Sequence, residues 1–202
     1  MIVVTSWDDG HPLDERVAEM LKKYALKGTF YVPARNSEGY SVLSPFALSQ
    51  LAMEFEIGGH TLDHVHLTSL KIEEANRQIR EGKDCIEQQT GHEIQGFCYP
   101  GGHMNQPIRE LVRANGFRYA RTIENLRIDC SGNDFLMPTT LQFFPHSKVI
   151  LCRNYFGYWH WAQRLDVLRM TLGAKNWWDR FAKISDAIAE TDNILHIWGH
   201  SW

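Results

Sequence analysis

The feature that most limits what this chain can fold into is the alternation of short apolar runs with amphipathic stretches. "IVVTS" at residues 2–6 reads as a buried strand. "LDERVAEMLKKY" follows with Val17, Met20, Leu21 and Tyr24 on one helical face, and Gly28 sits where that helix should stop. The unit then repeats. "TFYV" is a second strand, and Ser44-Pro45 has N-cap and first-turn character for a helix over 45–53. "FEIGGH" is a third strand broken at a glycine pair, followed by a helix over 71–90 expected to bury Ile72, Ala75, Ile79 and Ile86 and to end at Gly91. "GFCYPGG" gives a fourth strand and turn, residues 107–115 a helix closed by Gly116, and "FRYART" a fifth strand. Beyond it the pattern weakens: "LMPTTLQF" reads as a strand with a polar edge, 159–172 and 177–189 as two helices, and "NILHIW" as a last strand running into "GHSW". Repeated β-α units imply a parallel sheet with helices outside, open or closed into a barrel. Such folds place their sites at the C-terminal strand ends. The polar clusters of this chain fall there: Asp8-Asp9, His60, "YPGG", Arg121 and His200.

At 202 residues, with 44% apolar and 22% charged content, a single soluble domain over 1–202 is expected. The net charge of −3 and the lack of a Lys/Arg run weigh against nucleic acid or an anionic membrane surface as partner. No apolar stretch reaches the roughly 18 residues of a membrane span. Met1 runs straight into a strand, so no leader is expected, and Cys85, Cys98, Cys130 and Cys152 show no C-x-x-C spacing. Four such thiols fit a reducing cytoplasm better than a disulfide framework.

The chemistry starts at "SWDDG". Adjacent strand residues face opposite sides, so two neighbouring aspartates would normally point apart. Ordinary turn chemistry explains "DDG" without function. With Gly10 next in the chain the alternation can relax, and both carboxylates can reach one opening. His60 and His64 are four apart, so on a helical turn they share a face at roughly 6 Å and can hold one metal. His196 and His200 have the same spacing, but on a strand four residues span about 13 Å, too far for one ion. Two imidazoles plus one aspartate make an open three-ligand site, for which Asp8-Asp9 is a source of the third ligand. A surface histidine pair with no ligand is the competing reading.

In that order, "SWDDG", "HTLDH", "YPGG" and "WGH" resemble the motifs of the NodB-type polysaccharide deacetylases, carbohydrate esterase family 4, from the first strand to residue 200. The resemblance implies a distorted (β/α) barrel of about seven parallel strands with outer helices. It implies Asp8 as general base, Asp9, His60 and His64 as ligands of one divalent ion, and His200 as general acid, with Trp198 where the family has leucine. Zinc is the first choice of metal, with cobalt, nickel and manganese as alternatives. Substrate and oxyanion contacts would come from Tyr99, Pro100, Arg121 and the N–H of Gly101, a position usually held by tyrosine. His196, one layer deeper, is expected to be a core or supporting histidine. The implied reaction is hydrolysis of an N-acetyl group on an amino sugar. A cytoplasmic location would favour a soluble nucleotide-linked or lipid-linked saccharide. The alternatives are hydrolysis of another small non-peptide amide, or a non-catalytic carbohydrate-binding barrel.

Three departures stand out. The third motif normally opens with an arginine that orients the catalytic aspartate, and this chain has Cys98 there, with Arg121 on the next strand as a candidate replacement. Cys98 itself is expected to be structural or substrate-facing, neither nucleophile nor ligand. The fourth motif has no clear counterpart: Asp129 and Asp134 are candidates, although "DCSGND" reads more simply as a polar loop. The chain stops two residues past His200 where most relatives continue, which suggests a truncated product or an unusually short member. Finally, "RNYFGYWHWAQ" invites a sugar-stacking role for Tyr158, Trp159 and Trp161, although a face completed by Leu165 is more ordinarily core or a partner contact.

Overall fold

The computed structural model describes residues 1–130, 132–158 and 160–202. Seven strands run parallel: β1 (Ile2–Asp8), β2 (Thr29–Val32), β3 (Glu56–Gly59), β4 (Gly96–Cys98), β5 (Tyr119–Arg121), β6 (Leu141–Gln142) and β7 (Ile194–His200). Their order is β5-β4-β3-β2-β1-β7-β6. The first four connections each carry one helix: α1 (Asp14–Lys23), α2 (Pro45–Ala52), α3 (Ile72–Thr90) and α4 (Gln106–Ala114). The sheet curls so that β5 meets the chain entering β6, through an isolated bridge between Arg121 and Met137. Three residues on, Thr140 N–H donates to the carbonyl of His196 in β7. This thin seam closes the distorted (β/α) barrel.

Local chemistry explains the elements. The Ser44 hydroxyl accepts from the N–H of Ala47 and caps α2, with Pro45 at the first helical position. Gly91 takes φ 74 and ends α3 in the left-handed conformation. The outward faces of the strands, with Phe30, Val32, Ile57 and Phe97, pack against the buried stripes of α1 to α4, including Val17, Leu21, Leu48, Ile79 and Ile86. Each such side chain contributes roughly 1.5–3 kcal/mol. Three expectations fail at helix edges: Met20, Tyr24 and Ile72 are exposed, because the buried stripes are narrower than the apolar faces.

The inward face is polar. Ser6, Tyr31, Arg121 and His196 line a cavity of about 240 Å³ in the barrel lumen. Gly58 makes room there, since a Cβ on it would lie 2.3 Å from the Tyr31 ring. His196 shares a hydrogen bond with the Ser6 hydroxyl at 2.9 Å, and burial pushes its pKa down to about 3, so it is a neutral supporting group as expected.

Beyond β5 the plan changes. Three consecutive helices, α5 (Lys148–Phe156), α6 (Trp161–Leu172) and α7 (Trp177–Ile188), form a second core around Tyr155, Val167, Leu168 and Ile184. The helix α5 is absent from the sequence-based expectation. The expected start of α6 at Trp159 lies outside the described residues. Tyr158 and Arg164 pack together at the α5–α6 turn, where His160 contacts Glu124 at 3.0 Å. No helix among the described residues is long and apolar enough to cross a membrane.

Candidate active site

Asp8 ends β1 facing the lumen and is 3% exposed. The Arg121 guanidinium crosses the lumen from β5 and donates to both carboxylate oxygens, at 2.5 Å to Oδ1 and closer to Oδ2. It sits between the rings of Tyr31 and Trp198, 5.2 and 4.9 Å from their centroids, and its Nη2 lies 2.8 Å from the Cys98 sulfur. Burial works against the cation, and the charge of Asp8 outweighs it, holding Arg121 protonated. The small Cys98 leaves the space that this guanidinium fills. Burial drives the thiol pKa well up, with Arg121 opposing only in part, so Cys98 is a neutral thiol. Arg121, expected as a substrate or oxyanion contact, is fully buried and instead clamps Asp8.

Asp9 breaks the strand alternation itself. Its φ is 77, a left-handed value unusual for aspartate, and Gly10 follows at φ 59, where a Cβ would lie 2.6 Å from Val32 Cγ1. The two bent residues turn both carboxylates to the same opening.

His60 follows β3. Its Nδ1 is 2.8 Å from the Cys98 carbonyl oxygen, which can only accept, so Nδ1 carries a proton, and in the neutral ring the Nε2 lone pair is the one offered to an ion. His60 Nε2 and His64 Nε2 lie 3.5 and 3.1 Å from the same Asp9 oxygen. The ligand atoms of Asp9, His60 and His64 are all within 4.8 Å of one another. A helical turn does not bring the two histidines together, contrary to expectation. Thr61 and His64 adopt φ 71 and 55, and this irregular bend sets the rings 5.1 Å apart. Burial alone would raise the pKa of Asp9, but hydrogen bonds from His60 and His64 and the charges of His60 and His200 hold it well below the usual range. Burial would lower His64, and Asp9 raises it instead.

One carboxylate and two imidazole nitrogens, one oriented by a backbone carbonyl, fit a zinc-type divalent ion with an open position. A second grouping, Asp8, His60 and Cys98, is equally compact. It fits less well, because its thiol is held neutral and its carboxylate is taken by Arg121.

Across the opening, His200 Nε2 stands 3.6 Å from the other Asp9 oxygen. Its ring packs on Trp202, centroids 5.2 Å apart, and Trp202 stacks on Tyr40 at 5.4 Å. On the facing side Gly101 has φ 60, and its turn uses the N–H groups of Gly102 and His103. His66 Nε2 lies 2.7 Å from where a Gly101 Cβ would stand, which accounts for glycine there. Tyr99 and Pro100 are not substrate-facing by side chain: both are buried, and the Tyr99 hydroxyl donates to the Phe135 carbonyl at 3.2 Å. Asp129 pairs with Arg127 at 2.6 Å on the far side of the lumen, and Asp134 opens a short 3-10 turn over Asp134–Leu136. Neither stands among the groups around Asp9. "DCSGND" is the polar loop, with Ser131 outside the described residues.

Sequence reasoning missed Asp14. It begins α1 with no solvent exposure, and burial raises its pKa to about 7, with the Ser201 hydroxyl opposing and Asp8 and Asp9 adding to the rise.

Comparison with known proteins gives concordant results. The family model described as polysaccharide deacetylase matches residues 1–120. A peptidoglycan-N-acetylmuramic acid deacetylase, PdaC, of Bacillus subtilis is 30% identical over 115 residues, 55% of this chain and 24% of the relative. A peptidoglycan-N-acetylglucosamine deacetylase of Bacillus cereus is 26% identical over 121 residues, 58% of this chain and 54% of the relative. The match thus spans from a quarter to about half of those relatives' length. The structure of a family 4 carbohydrate esterase from Streptomyces lividans, in complex with acetate, superposes with a TM-score of 0.60 at 15% identity, covering 100% of this chain and 79% of that one.

Proposed function

The chain belongs to the polysaccharide deacetylase family, and from that premise we propose that it is a metal-dependent hydrolase that removes N-acetyl groups from an amino-sugar saccharide. The observation that carries the reading is the convergence of Asp9, His60 and His64 beside a clamped Asp8, with His200 opposite. Asp9, His60 and His64 would hold the divalent ion, zinc as first choice, which when bound polarises the amide carbonyl and activates water.

The protein's own groups do the rest. Asp8 accepts a proton from the attacking water, and Arg121 keeps its carboxylate ionised and aimed. The Gly101 N–H donates to the developing oxyanion. His200 gives its proton to the departing nitrogen. Arg121 in contact with Asp8 weakens the case for a different amide substrate, since it supplies what Cys98 omits. The complete set of reactive groups argues against a purely binding role. The names of the two bacterial relatives make N-acetylglucosamine and N-acetylmuramic acid polymers the first saccharides to test. Four free cysteines support a reducing compartment.

Elemental analysis of the untreated protein, then acetate release from a panel of N-acetylated saccharides, tests the proposal. One equivalent of zinc or a similar ion with acetate release that chelation stops is expected. No metal uptake, or no acetate from any saccharide by the loaded protein, would overturn it.

A further inference from the structure

A (β/α) barrel ordinarily fills its interior with layers of side chains, yet this lumen keeps a cavity of about 240 Å³. Thr29, Glu56, Tyr119 and Ile194 line it and are the first residues of β2, β3, β5 and β7. The cavity therefore lies towards the N-terminal strand ends, opposite the end where Asp8 and His200 stand, and the exposed Glu56 and Cys130 mark its mouth. Most polar groups in its wall are already satisfied. The Ser6 hydroxyl meets His196 Nε2 at 2.9 Å, and His196 Nδ1 is 3.2 Å from the Pro138 carbonyl oxygen. The Thr29 hydroxyl donates to Glu56 at 2.6 Å, and Arg127 pairs with Asp129 at 2.6 Å. The Tyr31 and Tyr119 hydroxyls bond to each other. The rest of the lining is apolar, with Val4, Met137 and Ile194 beside the tyrosine rings. One donor stands apart. Arg121, fully buried at the end of β5, closes the cavity towards Asp8, and its Nε has no hydrogen-bond partner among the described residues.

We propose that this cavity is a second binding site, for one small uncharged ring compound that carries a hydrogen-bond-accepting oxygen such as a carbonyl. Volume sets the size of the ligand. An apolar cavity of roughly 150 Å³ takes benzene, so this larger one holds a six-membered ring with a short substituent. The unpaired donor sets the handle: a buried N–H without an acceptor is costly, and a ligand oxygen on Arg121 Nε removes that cost. Charge sets the class. The Arg121 cation is already matched by Asp8, to both of whose oxygens it donates, and Asp129 and Glu56 line the same space. A carboxylate would enter as a charge in excess, whereas a neutral oxygen would not. An apolar wall with one placed polar group in the mouth of a barrel is the usual form of a small-molecule site. The proposal does not depend on the deacetylase reading, although the two sites share one side chain, since the guanidinium that would hold the ligand also holds Asp8.

Three probes test it on the intact chain: acetophenone, ethylbenzene, which has the ring without the oxygen, and benzoate, which adds the charge. Followed by calorimetry and NMR, acetophenone should bind once per chain with a Kd below about 1 mM and should move the Nε–H signal of Arg121. At that signal ethylbenzene and benzoate should bind at least about tenfold more weakly, the scale of one hydrogen bond to a charged donor. Ile194→Phe puts a ring into the cavity and should weaken acetophenone at least about tenfold, with a melting temperature like that of the wild type. Met137→Phe fills the space from the chain entering β6 and serves if the first variant does not fold. An Arg121 Nε–H signal unmoved at about 10 mM acetophenone would overturn the proposal and mark the lumen as a space for water alone. Acetophenone binding that both filled variants leave unchanged would overturn it too, by placing the ligand elsewhere. Benzoate held at Arg121 as tightly as acetophenone would overturn the neutral class of ligand.

Discussion

Up to residue 120 every strand is followed by one helix that returns the chain to the next strand, and a single core runs beneath α1 to α4. Between β5 and β7 the chain instead spends a long irregular stretch, a two-residue strand and three helices in a row, with a core of its own. The family match stops where the first pattern stops. The proposed ligands and base come from the first region, Arg121 is the last residue of that region's last strand, β5, and the proposed proton donor His200 ends β7, the strand that follows the second region. On the proposed assignment the regular half would hold the ion and aim Asp8 through Arg121, and the strand reached after the irregular half would supply the proton donor His200.

The sharpest break between the halves is metal retention. His60→Ala should remove metal and activity together, measured by elemental analysis and acetate release. Stoichiometric zinc in that variant would show the ligand assignment to be wrong. Asp8→Asn and Arg121→Gln should both keep the metal and lose at least about 10²-fold in kcat, the usual scale of a general base. If Arg121→Gln turned over normally, the clamp on Asp8 would be only a structural support. Arg121→Gln also leaves a buried carboxylate unpaired, so a stability loss of about 3–5 kcal/mol is expected in urea.

Core truncations test whether the two regions unfold as one. Ile79→Ala and Ile184→Ala each remove a fully buried side chain, one from each core, and each should cost about 2–5 kcal/mol. Because β7 pairs with β1 along seven residues, both variants should show one shared transition. Two transitions in Ile184→Ala alone would show the second region melting first.

A smaller effect lies where the regions meet, at Asp14 facing Ser201. Its pKa of about 7 in the fold is above the unfolded value near 3.8, so the folded protein holds the proton more tightly. Its contribution is present below about pH 4 and lost as pH rises towards 7, up to about 4 kcal/mol in the metal-free protein. Asp14→Asn should flatten that slope in urea unfolding at a series of pH values, and an unchanged slope would remove Asp14 as its source. Smallest of all, Cys98→Ser should leave metal content intact and lower turnover only a few-fold, checked by the same two assays.

Much of the first region was legible in the sequence. Its strands and helices follow from apolar periodicity and caps such as Ser44 and Gly91, and Asp8, Asp9, His60 and His64 follow from their places at strand ends. In the second region α5 escaped, because Val149, Ile150 and Leu151 are contiguous where a helix face would space them, and Val149 is in fact exposed. Asp14 escaped because an acid at a helix start is ordinarily a solvated charge favoured by the dipole, and burial is not written in the local pattern. The role of Arg121 was only a candidate, since a residue on β5 meets β1 only once the sheet has curled. The bend that unites the histidines was misjudged because left-handed backbone at Thr61 and His64 has no reliable mark in residue type.

Those left-handed positions have a further consequence. Asp9, Thr61 and His64 all take left-handed backbone in the fold, and holding non-glycine residues there costs of order 1–3 kcal/mol each. That cost is met by the folding of the barrel. If Asp9, His60 and His64 hold an ion as proposed, the cradle is costly to assemble: conditions that loosen the barrel should let it relax, and affinity for the ion should fall before the protein as a whole unfolds.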